Sequence, residues 1–516
     1  REIFLKGVIR GREAHDHPNL MNLPEKEYYR KYIQEAKAYG FNFIRFHSRI
    51  PNDVYFEVAD ELGMLTHIEI RKYFGKYQKE RKALDDLDDK NPELVDPEDW
   101  KKAVQQVRNH PSMLVYCMGN EINKPGLNPG VRKTFVLTRE LDPKKLFLDT
   151  CGRGEYDRSN VDIDVKHMGY YCPWGPHYGM FNSANQCGVF GSIKGVKVYV
   201  NSDEKDKKQQ WKMQREIPVN FPLIAHEICH YGSYRNIDDL DRKFNKYCPE
   251  LKPWWVGELQ KLIDAKGLKK DYYERGIESS KYYQYMWWKQ GLESVRRSSL
   301  LSGYNFFQLS DTERYENANS ILDCFDDFQF TKAEDFMQFN ADTVLAAEFK
   351  DFCYAEKTKL TIPVYLSNYD ERLTGEAIFH WELKSQKGKA IAMKGELANI
   401  NLDETGSRRI AIINLKFPEL KSADEALFSC WLVMPNGKKV ALNSWQLWVY
   451  PRISGKLNFT KTVFNLDEVD LRKRYPDVKK SKKPLPGKSL FIANRFDTEV
   501  LNHLKKGGDV FMLYRV

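Results

Sequence analysis

A chain of 516 residues, set against a typical domain of about 150, leaves room for two to four domains. Apolar residues make up 42% and charged residues 30%, which excludes a disordered or low-complexity chain, and no apolar run approaches the roughly 18 residues of a transmembrane helix. The 81 Lys and Arg against 72 Asp and Glu leave a formal charge of +9, interleaved along the chain, which reads as a solvated surface rather than a nucleic-acid groove.

The chain opens on Arg1 and Glu2 and enters a strand at once, with no Met and no signal peptide, so it is expected to be a piece of a longer protein. Short apolar runs then predict strands at residues 3–8, 43–46, 65–68, 114–118, 146–149, 164–167, 223–225 and 304–309. Between the first two, Tyr29, Tyr32, Ile33 and Ala36 recur at helical spacing over 26–39, with Gly40 as the stop. A second helix spans 54–62 before Gly63, and a third spans 97–107 behind Asp96 and Pro97. Eight strands with helical crossovers over residues 1–350 predict a (β/α)8 barrel. An open doubly wound sheet would carry a Gly-rich loop after its first strand, where this chain has Arg12, Glu13, His15, Asp16 and His17. Residues 236–300 are long for one crossover and read as a helical insertion.

From 358 to 455 the period changes to two. Segments 360–367, 376–384, 409–415, 426–434 and 444–449 alternate apolar and polar residues, which predicts an immunoglobulin-like antiparallel β-sandwich. A charged, Pro-containing connection follows at 477–488, and 489–513 reads as the strand–helix–strand start of a small α/β domain, the third unit at 477–516. The nine cysteines, at 117, 151, 172, 187, 229, 248, 324, 353 and 430, contain no C-x-x-C. Free buried thiols are expected, with no structural zinc site, metal or other cofactor.

Chemistry in a barrel sits at the carboxyl ends of its strands. Strand two ends in Arg45, His47 and Arg49, and strand three in Glu69. Strand four ends in Asn120 and Glu121. Strand six runs into His167, Tyr170 and Tyr171, then Trp174, and strand seven ends in His226 and Glu227, followed by His230. Strands four and seven face each other across a barrel mouth, so Glu121 and Glu227 can meet over a bound sugar. Retaining glycoside hydrolysis needs such a pair roughly 5–5.5 Å apart, one protonated to serve the leaving oxygen and one ionised to attack the anomeric carbon. Arg45 and a tyrosine hydroxyl beside Glu227 would favour its ionised form.

The run Arg108, Asn109, His110, Pro111, Ser112 followed by Cys117, Met118, Gly119, Asn120, Glu121 resembles the acid/base signature of glycoside hydrolase family 2. Five further segments resemble that family in the same order: Phe4 to Val8 and Gly40 to His47 its first two strands, Asp60 to Met64 the helix before strand three, Pro222 to Glu227 the nucleophile strand, and Gly303 to Asp311 with Ile321 to Asp323 the eighth strand and the loop beyond. The resemblance implies a retaining, exo-acting O-glycosidase with Glu121 as acid/base and Glu227 as nucleophile. It implies that Asn120 holds the sugar 2-hydroxyl, that Arg45 holds and ionises the nucleophile, and that Tyr170 or Tyr171 touches Glu227. His15, His17 and His47 would line the pocket, and Trp174 would offer a sugar platform. The partner would be a terminal β-linked sugar, β-galactoside first, in a bacterial periplasmic or secreted setting.

Two departures bear on specificity. The further Glu and His that follow strand three in magnesium-binding β-galactosidases are replaced by Ile70, Arg71, Lys72, Tyr73, Phe74 and Gly75, and the Asn-x-Lys that grips a glucuronide is not evident at Asn317, Ala318, Asn319, Ser320. Arg12, Arg49, Arg71 and Lys72 are the cations that could read an acidic sugar instead. A different specificity (β-glucuronide, β-mannoside or α-L-arabinoside), a barrel that binds glycans without turnover, and a metal-dependent hydrolase built on His15, His17 and Glu69 are the alternative expectations.

Overall fold

Apolar positions that alternate along short strands, and recur every three to four residues along helices, build the first unit strand by strand. In a computed structural model the described residues are 3–10, 23–70, 96–122, 129–151, 160–167, 222–267, 269–312, 318–386, 390–452, 462–465, 483–493 and 496–512. They fall into two compact units, Arg1–Val449 and Tyr450–Val516.

In the first unit β1 (Leu5–Arg10) leads to α1 (Glu25–Ala38), β2 (Phe43–Phe46), α2 (Asp53–Leu62), β3 (Leu65–Glu69), α3 (Pro97–Val107), β4 (Met113–Cys117), α4 (Pro129–Leu141), β5 (Leu146–Leu148) and β6 (Asp164–His167). Then come β7 (Leu223–Ile228), the helices α5 (Ile237–Tyr247), α6 (Trp254–Ala265) and α7 (Lys270–Arg297), and β8 (Gly303–Phe306). The eight strands pair in the order β5-β4-β3-β2-β1-β8-β7-β6, the cyclic order of a (β/α)8 barrel, open between β5 and β6 among the described residues. All eight strands read from the sequence are present. β8 ends at Phe306 rather than Leu309, and β7 runs on through Glu227 to Ile228.

Local chemistry places these boundaries. The Asn52 side chain caps α2 at Tyr55 N, and Gly63 closes it at φ 68°, where a Cβ would be strained. Asp96 caps α3 at the amides of Glu98 and Asp99, with Pro97 in the first turn. Ile44 and Phe46 face the helices and pack with Tyr29, Ile33, Tyr55 and Phe56, whereas Phe43 faces the barrel interior with Leu5, Val115, Cys117, Leu148 and Ile224. Arg45 shares the interior face with Phe43, a strand period of two apart. Gly7 is required on β1, because a Cβ there would meet Asn305 Oδ1 at 2.2 Å and Tyr304 O at 2.6 Å.

The barrel is followed by α8 (Ala333–Asn340), β9 (Thr343–Ala347), β10 (Cys353–Ala355), β11 (Lys359–Asn368), β12 (Glu376–Ser385), β13 (Ala392–Asn401), β14 (Gly406–Lys416), β15 (Asp424–Val433) and β16 (Lys439–Tyr450). A five-stranded sheet, β10-β16-β15-β12-β13, faces a three-stranded one, β14-β11-β9, over Ile362, Val364, Phe379, Phe428, Leu432 and Leu447. This is the antiparallel sandwich expected from the alternation. β9 and β13 were not legible there. β9 is buried at every position and β13 is an edge strand exposed at most of its positions, so neither alternates. In the second unit β17 (Thr462–Asn465), β18 (Ser489–Ala493) and β19 (Asp509–Met512) form a parallel sheet with α9 (Thr498–Lys505) packed through Val500 on Phe491 and Ala493.

A buried polar seam joins α7 to the sandwich. Glu293 is fully buried; it accepts from Asn443 Nδ2 and from Trp445 Nε1, each at 2.8 Å, and pairs with Lys289 Nζ at 2.7 Å. Arg296 donates to Ser367 Oγ and to the carbonyls of Ala341 and Asp342. Removing one member of such a pair strands the other charge without water. Glu293→Ala is therefore expected to cost about 3–5 kcal/mol in denaturant unfolding. A loss below about 1 kcal/mol, the range of an exposed pair, would contradict a closed seam.

Candidate active site

The carboxyl ends of β2, β3, β4 and β7 converge on one guanidinium. Arg45 on β2 has no exposed surface. Its Nε donates to Glu69 Oε1 at 2.5 Å, Nη1 to Glu227 Oε1 at 2.7 Å and Nη2 to Asn120 Oδ1 at 2.8 Å. Such charge-assisted bonds are short and directional, and the planar fork fixes three acceptors from three further strands at once. Glu69 Oε2 is held in turn by the Ser48 amide at 2.7 Å.

Both candidate carboxylates leave their strands in the left-handed region, Glu121 and Glu227 each at φ 49°. For residues with a Cβ that conformation costs free energy, and the surrounding bonds must hold it. At Glu121 they are identifiable. Its amide donates to Cys151 O at 2.8 Å, the Cys151 amide returns to Gly119 O at 3.0 Å, and the Ile122 amide donates to Thr150 Oγ1 at 2.8 Å.

The two carboxyl groups sit in unlike surroundings. The Glu227 side chain is 7% exposed and that of Glu121 is 39% exposed. Burial opposes the charge on Glu227, but Arg45, His167 and His47 outweigh it and hold the carboxyl down to about 2. Glu69 is likewise held to about 2, against burial, by Arg45 and the neighbouring imidazoles. Both acids are therefore anions over the whole neutral range.

One imidazole bridges the pair. His167 Nδ1 lies 3.0 Å from Glu121 Oε1, and its Nε2 stands 3.4 Å from Glu227 Oε1 without forming a hydrogen bond. The two acids are thus one ring and two contacts apart. His226 stacks beneath His167, ring centroids 5.6 Å apart, and burial holds it neutral, well below the ordinary histidine value. His47 Nε2 is 3.9 Å from Glu227 Oε1, with Nδ1 against Ser48 Oγ at 3.0 Å. His230 stacks on Phe307 at 4.2 Å.

The structure thus brings together Glu121, Glu227, Asn120, Arg45 and His47. His15, His17, Tyr170, Tyr171 and Trp174 lie outside the described residues, as do Arg12, Arg71 and Lys72. Of the further participants, His167 had no assigned role from the sequence and Glu69 only that of a ligand in the metal-dependent alternative. His167 closes β6 and Glu69 closes β3, so strand-end position was the available signal, but which carboxylate each touches is set by how the strands turn inward.

Comparisons with known proteins agree at the level of the fold. Residues 358–451 match a domain of unknown function (DUF8488). A curated relative, a putative beta-glucuronidase of Formosa agariphila, is 28% identical over 134 residues, which are 26% of this chain and 12% of the relative. Among solved structures, a beta-D-mannosidase from Dictyoglomus thermophilum superposes with a TM-score of 0.50 at 16% identity, over 89% of this chain and 52% of that one. An exo-chitosanase, CsxA, of Amycolatopsis orientalis does so at 0.50 and 12%, over 86% and 48%. The chain spans about half the length of these structures. The resemblance read from the motifs therefore holds for the fold: these structural neighbours are members of glycoside hydrolase family 2.

The depressed carboxyls carry a pH signature. Glu69 and Glu227 each fall from an ordinary 4.5 to about 2 on folding, so the stability they contribute is complete above about pH 4.5 and is lost as pH falls towards 2. Stability measured from pH 7 to 2.5 is expected to drop across that window, and Glu69→Gln to show a shallower drop. At pH 7, Glu69→Gln removes one partner of a buried pair and is expected to cost about 3–5 kcal/mol. An unchanged acid limb in this variant would refute the assignment.

Proposed function

We propose that this chain, built on the fold of glycoside hydrolase family 2, is an exo-acting, retaining glycoside hydrolase that removes a terminal β-linked sugar, with Glu227 as nucleophile and Glu121 as acid/base. The observation that carries the reading is the asymmetry of two acids joined by one imidazole. Glu227 is buried, clamped by Arg45 and anionic, as an attacking carboxylate must be. Glu121 is half-exposed at the same mouth, reached by His167 and open to a leaving group and to water.

In the first step Glu227 Oε attacks the anomeric carbon, the glycosidic C–O bond breaks, and Glu121 gives its proton to the departing oxygen. In the second, Glu121 takes a proton from water, the water oxygen bonds to the anomeric carbon, and the Glu227 ester bond breaks. Asn120, held by Arg45 Nη2 through its oxygen, keeps its amide nitrogen for the sugar 2-hydroxyl. His167 fixes the orientation of Glu121 through its Nδ1 contact. β-Galactoside is the first substrate to test. The names of the relatives add β-glucuronide, β-mannoside and a glucosaminide, and the 28% identical relative favours β-glucuronide among these.

Turnover of a panel of nitrophenyl glycosides selects the sugar, and a 2-fluoro derivative of that sugar traps the intermediate. The label is expected on Glu227 by peptide mass spectrometry, with the anomeric configuration retained by NMR. Glu121→Gln is expected to lower kcat/KM by roughly 10²–10⁴ on substrates with poor leaving groups and far less on nitrophenyl glycosides, whose activated leaving group does not need the acid. A label on any other residue, or an inverted product, rejects the mechanism.

A further inference from the structure

Beneath the mouth, on β3, at the end of β4 and just after β5, lies a group of side chains that the proposed reaction does not use as a unit. His67, Glu69, Cys117 and Cys151 are all buried, and each brings one ligand atom within 4.8 Å of all the others. Cys117 Sγ and Cys151 Sγ are 3.5 Å apart, Cys151 Sγ is 3.5 Å from His67 Nε2, and His67 Nε2 is 3.9 Å from Glu69 Oε1. A tetrahedral ion with metal–sulfur distances of about 2.3 Å and metal–nitrogen distances of about 2.0–2.1 Å has edges of about 3.4–3.8 Å. The Cys117–Cys151 and Cys151–His67 separations, both 3.5 Å, already match such edges without a bond between the sulfurs, and His67–Glu69 at 3.9 Å is slightly longer.

The chemistry of the group points the same way. A neutral imidazole offers one ring nitrogen as a lone-pair donor, and the buried His67 ring presents Nε2 to this group. The polar atoms facing Nε2 are a thiol and a carboxylate at distances where a hydrogen bond to a fully buried ring is weak. Two thiolates and Glu69 would carry three negative charges. A divalent ion and Arg45, already on Glu69 Oε1, would carry three positive ones. Thiolate and imidazole donors in a tetrahedral array select zinc and its soft relatives over magnesium or calcium.

We propose that His67, Cys117 and Cys151, with Glu69 as fourth ligand, form a closed binding site for a thiophilic divalent cation of the zinc class. Capture forms two metal–sulfur bonds, breaks two S–H bonds and releases two protons, with no change of oxidation state. The set takes ligands from three neighbouring strand ends, so loading ties β3, β4 and β5 together under the mouth.

The test is spectroscopic and uses no turnover, so its failure and that of the glycosidase reading are distinguishable. The four groups are sealed from solvent, so the full chain is produced under reducing conditions in cobalt-supplemented medium. The expected result is one cobalt(II) per chain with a thiolate-to-cobalt charge-transfer band and the visible bands of a four-coordinate ion, displaced by zinc. Cys117→Ser and Cys151→Ser are each expected to weaken binding by more than the 10–100-fold that an outer-shell partner is worth. Cys353→Ser, at an exposed cysteine, is expected to leave the spectrum unchanged. Should either ligand variant fail to fold, X-ray absorption of the zinc-loaded parent decides: two sulfurs at about 2.3 Å support the site. No retained metal, a six-coordinate nitrogen and oxygen spectrum, a disulfide between Cys117 and Cys151 in the reduced preparation, or a thiolate band that survives both serine variants would overturn it.

Discussion

A guanidinium with no contact with water holds the mouth of this barrel together. Arg45 bonds Glu69, Glu227 and Asn120, one acceptor from each of three further strands. A cation buried this deeply is tolerated only because every face of its fork meets an anion or a carbonyl oxygen. The same arithmetic works in reverse for the acids. Glu69 and Glu227 stay ionised without solvent because Arg45 is there. Removing any one of the three leaves the others with uncompensated charge, so the group is a unit rather than a set of contacts.

That unit has a chemical polarity. Glu227 sits on the Arg45 side, buried and anionic, and Glu121 sits on the His167 side, half-exposed. Two carboxyl groups with the same intrinsic chemistry are thereby placed in unlike surroundings by position alone. The positive φ at both residues belongs to the same design. It breaks the extended backbone at both residues, and at Glu121 the ladder between Gly119, Cys151 and Thr150 holds the turn. The rigid sheet supplies the restraint and the strand ends supply the chemistry.

Farther from the mouth, α7 serves two cores. One side of it packs against β8 through Trp288 on Phe306, while Lys289, Glu293 and Arg296 reach residues of the sandwich. Polar groups fill a junction that would otherwise be apolar, and each finds a partner. Asn443 and Trp445, two residues apart on β16, both donate to Glu293, so this packing fixes which face of the strand meets α7.

The sequence by itself determined the eight strands, the helices at 26–39, 54–62 and 97–107, the helical insertion at 236–300 and the change to an antiparallel sandwich, because period and capping are local properties of the chain. It also marked Glu121, Glu227, Asn120 and Arg45, since each stands at the end of a run that reads as a strand, within motifs that resemble one family. β9 and β13 escaped because a strand buried on both faces, or exposed on nearly all its positions, has no alternation to read. Tertiary structure alone decided that Arg45 joins Glu69 to Glu227, that His167 lies between the two acids, and that Cys117 and Cys151 meet beside His67. Those pairs are separated by 24 to 182 residues along the chain. Spacing rules for metal or acid pairs see only neighbours in sequence, whereas the strands of a parallel sheet bring distant residues within a few ångströms at a register that no local pattern encodes.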